Sequence, residues 1–339
     1  MTPRPRLKPY FRPMRRSADS VQLGVSAESG GVILSGLGPA DIALLQGLDG
    51  AAAEVGLDDV AAACGVPPVR AAELLALLRE HDLLAVDGPD RVDLGRLRAS
   101  QRDGLLHDAE VLALVRDLPG DPFARVVDRA HRRVLVSGSG RLPWSIAALL
   151  RDGGVGRVDV GGWALDAVEQ ELRADPHRPR PDLVVLVAEG AVDPRQGEPW
   201  RRRGVPHLPV VSDGQRIVIG PLIGRDDDLP CLECLELSRT DRDSSWPVVR
   251  AQLPLGGGGE IRSESTMACV AAGVVAMVTH AVLAGDPVPP GVSLEVTVPW
   301  PRLDHRRWHR HPACPGHRTR HTSRPPGHAP DPARVTMTG

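Results

Sequence analysis

Cys231-Leu-Glu-Cys234 and, about eighty residues later, Cys314-Pro-Gly-His317 combine residue types and spacing suited to metal chemistry. Two thiolates separated by two residues reach one tetrahedral soft cation, and a second pair completes its four ligands. Four protein ligands leave no open position for water or substrate, so the pattern predicts a structural zinc clipping the C-terminal region onto a domain. The spacing of Cys231 and Cys234 is specific; the second half-site is less so. Cys314 is a good third ligand, and the fourth lies among His317, His311 and His309. Weighed against this are ordinary buried cysteines near a turn, and the spacing favours zinc.

A second constellation is Val134-Leu-Val-Ser-Gly138-Ser-Gly140-Arg-Leu-Pro143, a strand entering a glycine-rich turn. Trp144–Leu150 continues as a helix and Gly154–Val160 leads into another strand, the layout of a Rossmann-type βαβ unit. Gly138 and Gly140 permit a tight turn near a pyrophosphate. Pro143 stands where a third glycine belongs and removes one amide donor from the helix start. Gly161-Gly162 occupies the strand end where an acid for ribose hydroxyls is expected, and Asp159 falls inside the strand. The turn therefore reads as a degenerate nucleotide site. Cys269, on an alanine-rich helical run over Ile261–Ala284, could serve as a transfer thiol; a small buried hydrophobe is the more ordinary role.

Further strands are predicted at Asp182–Ala188, a continuous apolar run suited to a buried parallel strand, and at Leu208–Val211 and Arg216–Ile219. Upstream, Val21–Val25 and Gly31–Leu34 form a hairpin pattern. Helices follow at Pro39–Leu48, Leu57–Cys64 and Pro67–His81, with leucines at helical spacing, and Leu83–Val86 returns as a strand. Hairpin, three helices and closing strand make a small winged-helix unit over 1–95. A helical linker (96–130), an α/β domain (131–322) and a Pro-, Gly- and Thr-rich disordered tail (323–339) complete the chain.

Composition narrows the function. The 339 residues carry a net charge of −2, so no general attraction to nucleic acid or anionic membrane follows. Lys8 is the only lysine and asparagine is absent. The third helix offers Arg70 and Arg79 against Glu73, Glu80 and Asp82, a poor DNA-reading surface. Peptide capture along the hairpin edge suits the unit better. The longest apolar stretch, Met267–Leu283, is short and mild for a membrane span. With five cysteines and no secretory pattern at the basic, proline-rich start, a soluble cytoplasmic protein is expected. The cluster Arg239-Thr-Asp-Arg-Asp243 could contact a partner; a helix end tied by local ion pairs is the plainer reading.

Pro206-His-Leu-Pro-Val210, Gly220-Pro-Leu222 and Cys231–Asp243, with Trp246-Pro247 and Ala251-Gln-Leu253, resemble the ThiF-like partner proteins of peptide-modifying pathways. These are the leader-peptide-binding, cyclodehydratase accessory proteins of thiazole/oxazole-modified microcins. The resemblance covers nearly the whole chain. It implies an N-terminal PqqD-like element that holds a precursor's leader peptide. It further implies a ThiF-like Rossmann-type α/β domain with structural zinc, and a separate YcaO-type cyclodehydratase as partner. Pairing into a homodimer is also implied.

Departures from the adenylating members are specific. Gly161-Gly162 replaces their acid, and no lysine or asparagine exists in the α/β domain for the phosphates of ATP. A non-catalytic ThiF-like domain is therefore expected, with ATP-dependent adenylyl transfer, through Cys269 if through any thiol, as the alternative. The family commonly closes its metal site with two C-terminal cysteines. Here Cys314 stands alone, and His317 is taken as its companion.

Overall fold

A computed structural model describes residues 6–8, 10–26, 31–48, 57–84, 99–115, 121–224, 228–253 and 259–318. The chain divides into two compact units, Met1–His131 with Asp152–Gly154, and Arg132–Arg151 with Val155–Gly339.

In the first unit, β1 (Pro13–Arg15), β2 (Ser20–Leu23) and β3 (Val32–Ser35) form an antiparallel sheet in that order. The hairpin pattern corresponds to β2 and β3; β1, three residues long, carries no periodicity to betray it. The alternation of β2 turns Val21 and Leu23 inward, across from Leu34 and Val32. Met14, Gln22 and Ile33 line up across the opposite face. Helices α1 (Pro39–Gly47), α2 (Leu57–Ala63) and α3 (Pro68–Glu80) cover the buried face with Leu44, Leu45, Leu74 and Leu78. Proline opens α1 and α3, where its missing N–H costs nothing. Asp41 accepts from the Gly38 N–H at 3.0 Å and pairs with Arg70 at 3.1 Å, joining α1 to α3.

Asp82 follows α3 with φ of 55°, and its carboxylate meets the ammonium of Lys8 at 2.7 Å. Beside them Leu84 bridges Leu7, so the segment after α3 pairs with the start of the chain; Val86 lies outside the described residues. Helices α4 (Ala99–Leu112) and α5 (Pro122–Asp128) pack Leu105 and Ala109 on Val126 and Val127, with Asp121 capping α5. Arg129 ties them to Asp108 and to the Gly153 carbonyl. The tail from Ser323 lies outside the described residues.

A seven-stranded mixed sheet organises the second unit, in the order β10-β9-β8-β7-β6-β4-β5. Strands β4 (Arg133–Ser137), β5 (Arg157–Gly161), β6 (Leu183–Glu189) and β7 (His207–Ser212) run parallel. Strands β8 (Arg216–Ile219), β9 (Val292–Thr297) and β10 (Arg302–Arg307) continue antiparallel. The apolar runs of β4 and β6 are covered on both faces, as parallel strands require. On one face lie α6 (Arg141–Asp152) and α11 (Ser265–Ala284). On the other lie α7 (Ala164–Ala174), α8 (Pro194–Arg203) and α9 (Leu232–Arg242), followed by the short α10 (Trp246–Arg250).

Helix α11 is long and apolar enough, by length and composition, to cross a bilayer. Here its Ala268, Ala271, Ala272 and Val275 face pack into the sheet core. It begins at Ser265 rather than Ile261, because Glu264 caps it by accepting from the Met267 N–H at 2.8 Å.

His207, at the start of β7, is buried against α8, where a Cβ on Gly197 would lie 2.8 Å from its Nε2. Burial pushes its imidazole down to about 4. An unfolded histidine protonates near pH 6.5, and the folded one stays neutral until about pH 4. Its contribution is therefore full above pH 6.5 and lost as pH falls to about 4. The total is ~3 kcal/mol. Urea unfolding at stepped pH should show this loss in the wild type and a flatter difference curve for His207→Gln. Parallel curves for the two proteins would contradict it.

Candidate metal centre and the glycine turn

Pro230 and Cys231 lead directly into α9, Cys231 standing at its N-cap and Cys234 in its first turn. The other half-site is carried by the β9–β10 hairpin. Beyond β10, Trp308 is buried, donating its indole N–H to Ser293 Oγ at 2.9 Å and its backbone N–H to the Gly291 carbonyl at 2.7 Å. That anchor fixes the segment reaching the short α12 (Pro315–Arg318). Cys231, Cys234, Cys314 and His317 converge there, all buried, with their ligand atoms within 4.8 Å of one another.

Cys231 Sγ lies 3.7 Å from Cys234 Sγ and 3.6 Å from Cys314 Sγ. Sulfurs bound at ~2.3 Å in tetrahedral geometry stand roughly 3.8 Å apart, so the spacing suits zinc. Both ring nitrogens of His317 are buried without a hydrogen-bond partner. An imidazole so placed loses its water contacts with nothing in exchange, unless a cation takes one nitrogen. The thiol of Cys231 is pushed up by its hydrogen bond to Cys234 and by burial, and burial raises that of Cys314. Three thiolates so confined require a positive charge among them. The backbone N–H of His311 supports the site by donating to Cys234 Sγ at 3.3 Å. The His311 ring is turned away, its Nε2 2.8 Å from Asp241, and His309 is exposed; neither joins the group.

At the glycine turn, Gly138 and Gly140 adopt φ of 93° and 104°, which side chains rarely tolerate. A Cβ on Gly138 would lie 2.6 Å from Ile261 Cδ1 and 3.0 Å from the Val187 carbonyl; one on Gly140 would lie 2.8 Å from Glu260 Cγ. The close approach that these glycines permit is thus used by the protein's own segment 260–262. That segment is tied down by Ile261 N–H donating to the Ser139 carbonyl at 2.9 Å and by Ser212 Oγ donating to the Arg262 carbonyl at 2.8 Å. Asp159 is held away from the turn by Arg133 at 2.8 Å and Arg157 at 3.1 Å. Beside Gly161 stands the indole of Trp163. These residues supply neither the ammonium nor the amide that a triphosphate calls for, and no step through a nucleotide follows from them. Cys269 is exposed on α11 and apart from the metal group, so the small buried hydrophobe expected there is not what the helix presents.

Sequence reasoning did not single out Trp308, the His311 amide or segment 260–262. Trp308 had a usable signal, being one of few aromatics in a chain with 3% of them and lying just upstream of Cys314.

No family model matches the chain, and no curated protein does. Solved structures do match in fold. E. coli MccB, solved with succinimide, superposes with a TM-score of 0.60 at 13% identity, over 92% of this chain and 98% of that one. The microcin C7 biosynthetic enzyme MccB in complex with N-formylated MccA gives 0.59 at 13% identity, over 92% and 98%. A heterocyclase in complex with substrate and cofactor gives 0.56 at 16% identity, over 90% of this chain and 38% of that longer one. The fold is therefore similar to that of E. coli MccB over most of both chains.

Purified protein should carry one zinc per chain, measured by atomic emission. Cys231→Ser and His317→Ala should lose it and lower the melting transition of the second unit by ~10 °C or more, each kcal/mol being worth ~2–4 °C at this size. Full zinc content in both variants would contradict the assignment.

Proposed function

We propose that this chain binds the leader of a ribosomally made precursor peptide and presents its core to a YcaO-type cyclodehydratase for azoline formation. The single observation carrying this reading is the fold likeness to MccB in its complex with N-formylated MccA and to a substrate-bound heterocyclase. The first unit, read as a PqqD-like winged helix over 1–95, is the leader-binding element. Its β3 lies at the edge of the three-stranded sheet, with Ile33 52% exposed, so an extended peptide can add a strand there. Structural zinc at Cys231, Cys234, Cys314 and His317 serves the second unit, which acts as a non-catalytic platform joined through the linker 96–130.

A second reading, ATP-dependent adenylyl transfer to a peptide C terminus, is favoured by MccB having also been solved with ATP. The two readings separate in solution. With the full chain, a labelled precursor peptide should bind and Ile33→Asp should weaken it ~10-fold or more without changing the melt, since a charge on a strand edge opposes strand addition. Millimolar ATP with magnesium should leave the melting temperature and pyrophosphate exchange unchanged. Stabilisation by ~2.7 kcal/mol, the effect of ligand at a hundredfold its Kd, together with exchange would establish the transferase instead.

A further inference from the structure

Helix α9 ends in Arg239 and Arg242, and both reach over the antiparallel half of the sheet. The register places Arg216 on β8, Glu295 on β9 and Arg306 on β10 as neighbours. Glu295 accepts from Arg216 at 3.2 Å and from Arg306 at 3.4 Å, and Asp213 accepts from Arg216 through two nitrogens at 2.6 and 2.8 Å. Arg239 is the ordinary helix-end arginine, paired with Glu236 at 2.6 Å and stacked on Trp246 at 5.4 Å. Arg242 differs. It is exposed, its Nε donates to the Ser238 carbonyl at 3.0 Å, and no carboxylate pairs with it among the described residues.

The guanidinium of Arg242 instead lies 5.1 Å from the centre of the Trp308 ring, and Arg306 lies 5.2 Å from the same centre. Two cations share one aromatic ring. Each gains from the π-face, yet the two repel, and Glu295 acts on both. Partial desolvation of the still exposed Arg242, then the charges of Arg306 and Arg239, lower its pKa against Glu295; Arg239 is lowered by burial and by Arg216 and Arg306, against Glu236. An arginine cluster held at such a cost is relieved by an incoming anion.

We propose that Arg242 and Arg306, set around Trp308 and flanked by Arg216, form a docking surface for an acidic peptide segment. Glu295 already displays the chemistry, one carboxylate bridging guanidiniums from two strands, and a second carboxylate over Arg242 and Arg306 repeats it. Planar guanidinium forks match carboxylate geometry. The cluster spreads over β8, β10 and α9, which suits a chain bearing several carboxylates better than one small ion. This surface belongs to the second unit and does not depend on leader capture by the first.

The test uses full-length protein and a labelled, end-capped oligoglutamate peptide, read by fluorescence anisotropy. The double variant Arg242→Gln/Arg306→Gln should bind ~10-fold more weakly or worse, the scale of losing charge-assisted hydrogen bonds. Arg173→Gln, which removes an exposed guanidinium paired with Glu169 on α7, beside the parallel half of the sheet, should change affinity by less than about twofold. Arg242→Lys keeps the charge without the fork and should fall between. Zinc content and melting temperature check each variant's fold. Failure of the wild type to bind, equal losses in Arg173→Gln, or displacement by inorganic phosphate at matched charge would each overturn the proposal.

Discussion

Three thiols and an imidazole confined to one buried pocket set the terms for the second unit. Buried thiolates repel, and an unpartnered imidazole in an apolar setting is costly, so the pocket suits a cation. Because Cys231 and Cys234 open α9 while Cys314 and His317 follow the β9–β10 hairpin, a bound metal closes the sheet's antiparallel half against the helices on its far side. Trp308 extends that closure inward through Ser293 and Gly291. The C-terminal hairpin thus has two anchors, one aromatic and one ionic, at either end of the same short segment.

The parallel half is organised by a different constraint. Gly138 and Gly140 hold positive φ and leave room that segment 260–262 fills with Ile261 and the Glu260 stem. The crevice outside the carboxyl ends of parallel strands is where an open α/β sheet usually receives its ligand. In this chain the same crevice works as a packing joint between β4, β7 and the run into α11. A fold suited to nucleotide binding and a local sequence suited to closure are consistent with each other, since glycine is needed for both.

How far the sequence revealed this follows residue by residue. Ligand spacing is dictated by coordination chemistry, so the cysteine pair was legible without any fold. Strand β6 was legible because burial on both faces demands an unbroken apolar run. Strand β10, Arg302–Arg307, was not: an exposed edge strand with one partner needs no hydrophobic alternation, and only its register with β9 defines it. Helix α8 carries Gly197 and Pro199, poor helix formers, and buries little beyond Trp200, so its composition argues against a helix. His317 could not be separated from His309 and His311 by spacing alone. The hairpin decides between them, by pointing the His311 ring at Asp241 and burying that of His317.

Lys8 gives the surface a further property. It is the chain's only lysine, and its ammonium is buried against Asp82 in the first unit. The exposed positive charge is accordingly arginine, which stays protonated at any working pH and is a poor nucleophile. An activated acyl or phosphoryl ester formed beside this protein meets cationic side chains that can steer it electrostatically and cannot capture it. Amine-directed acylation therefore finds its one side-chain target shielded, and the molecule's cationic faces remain chemically inert.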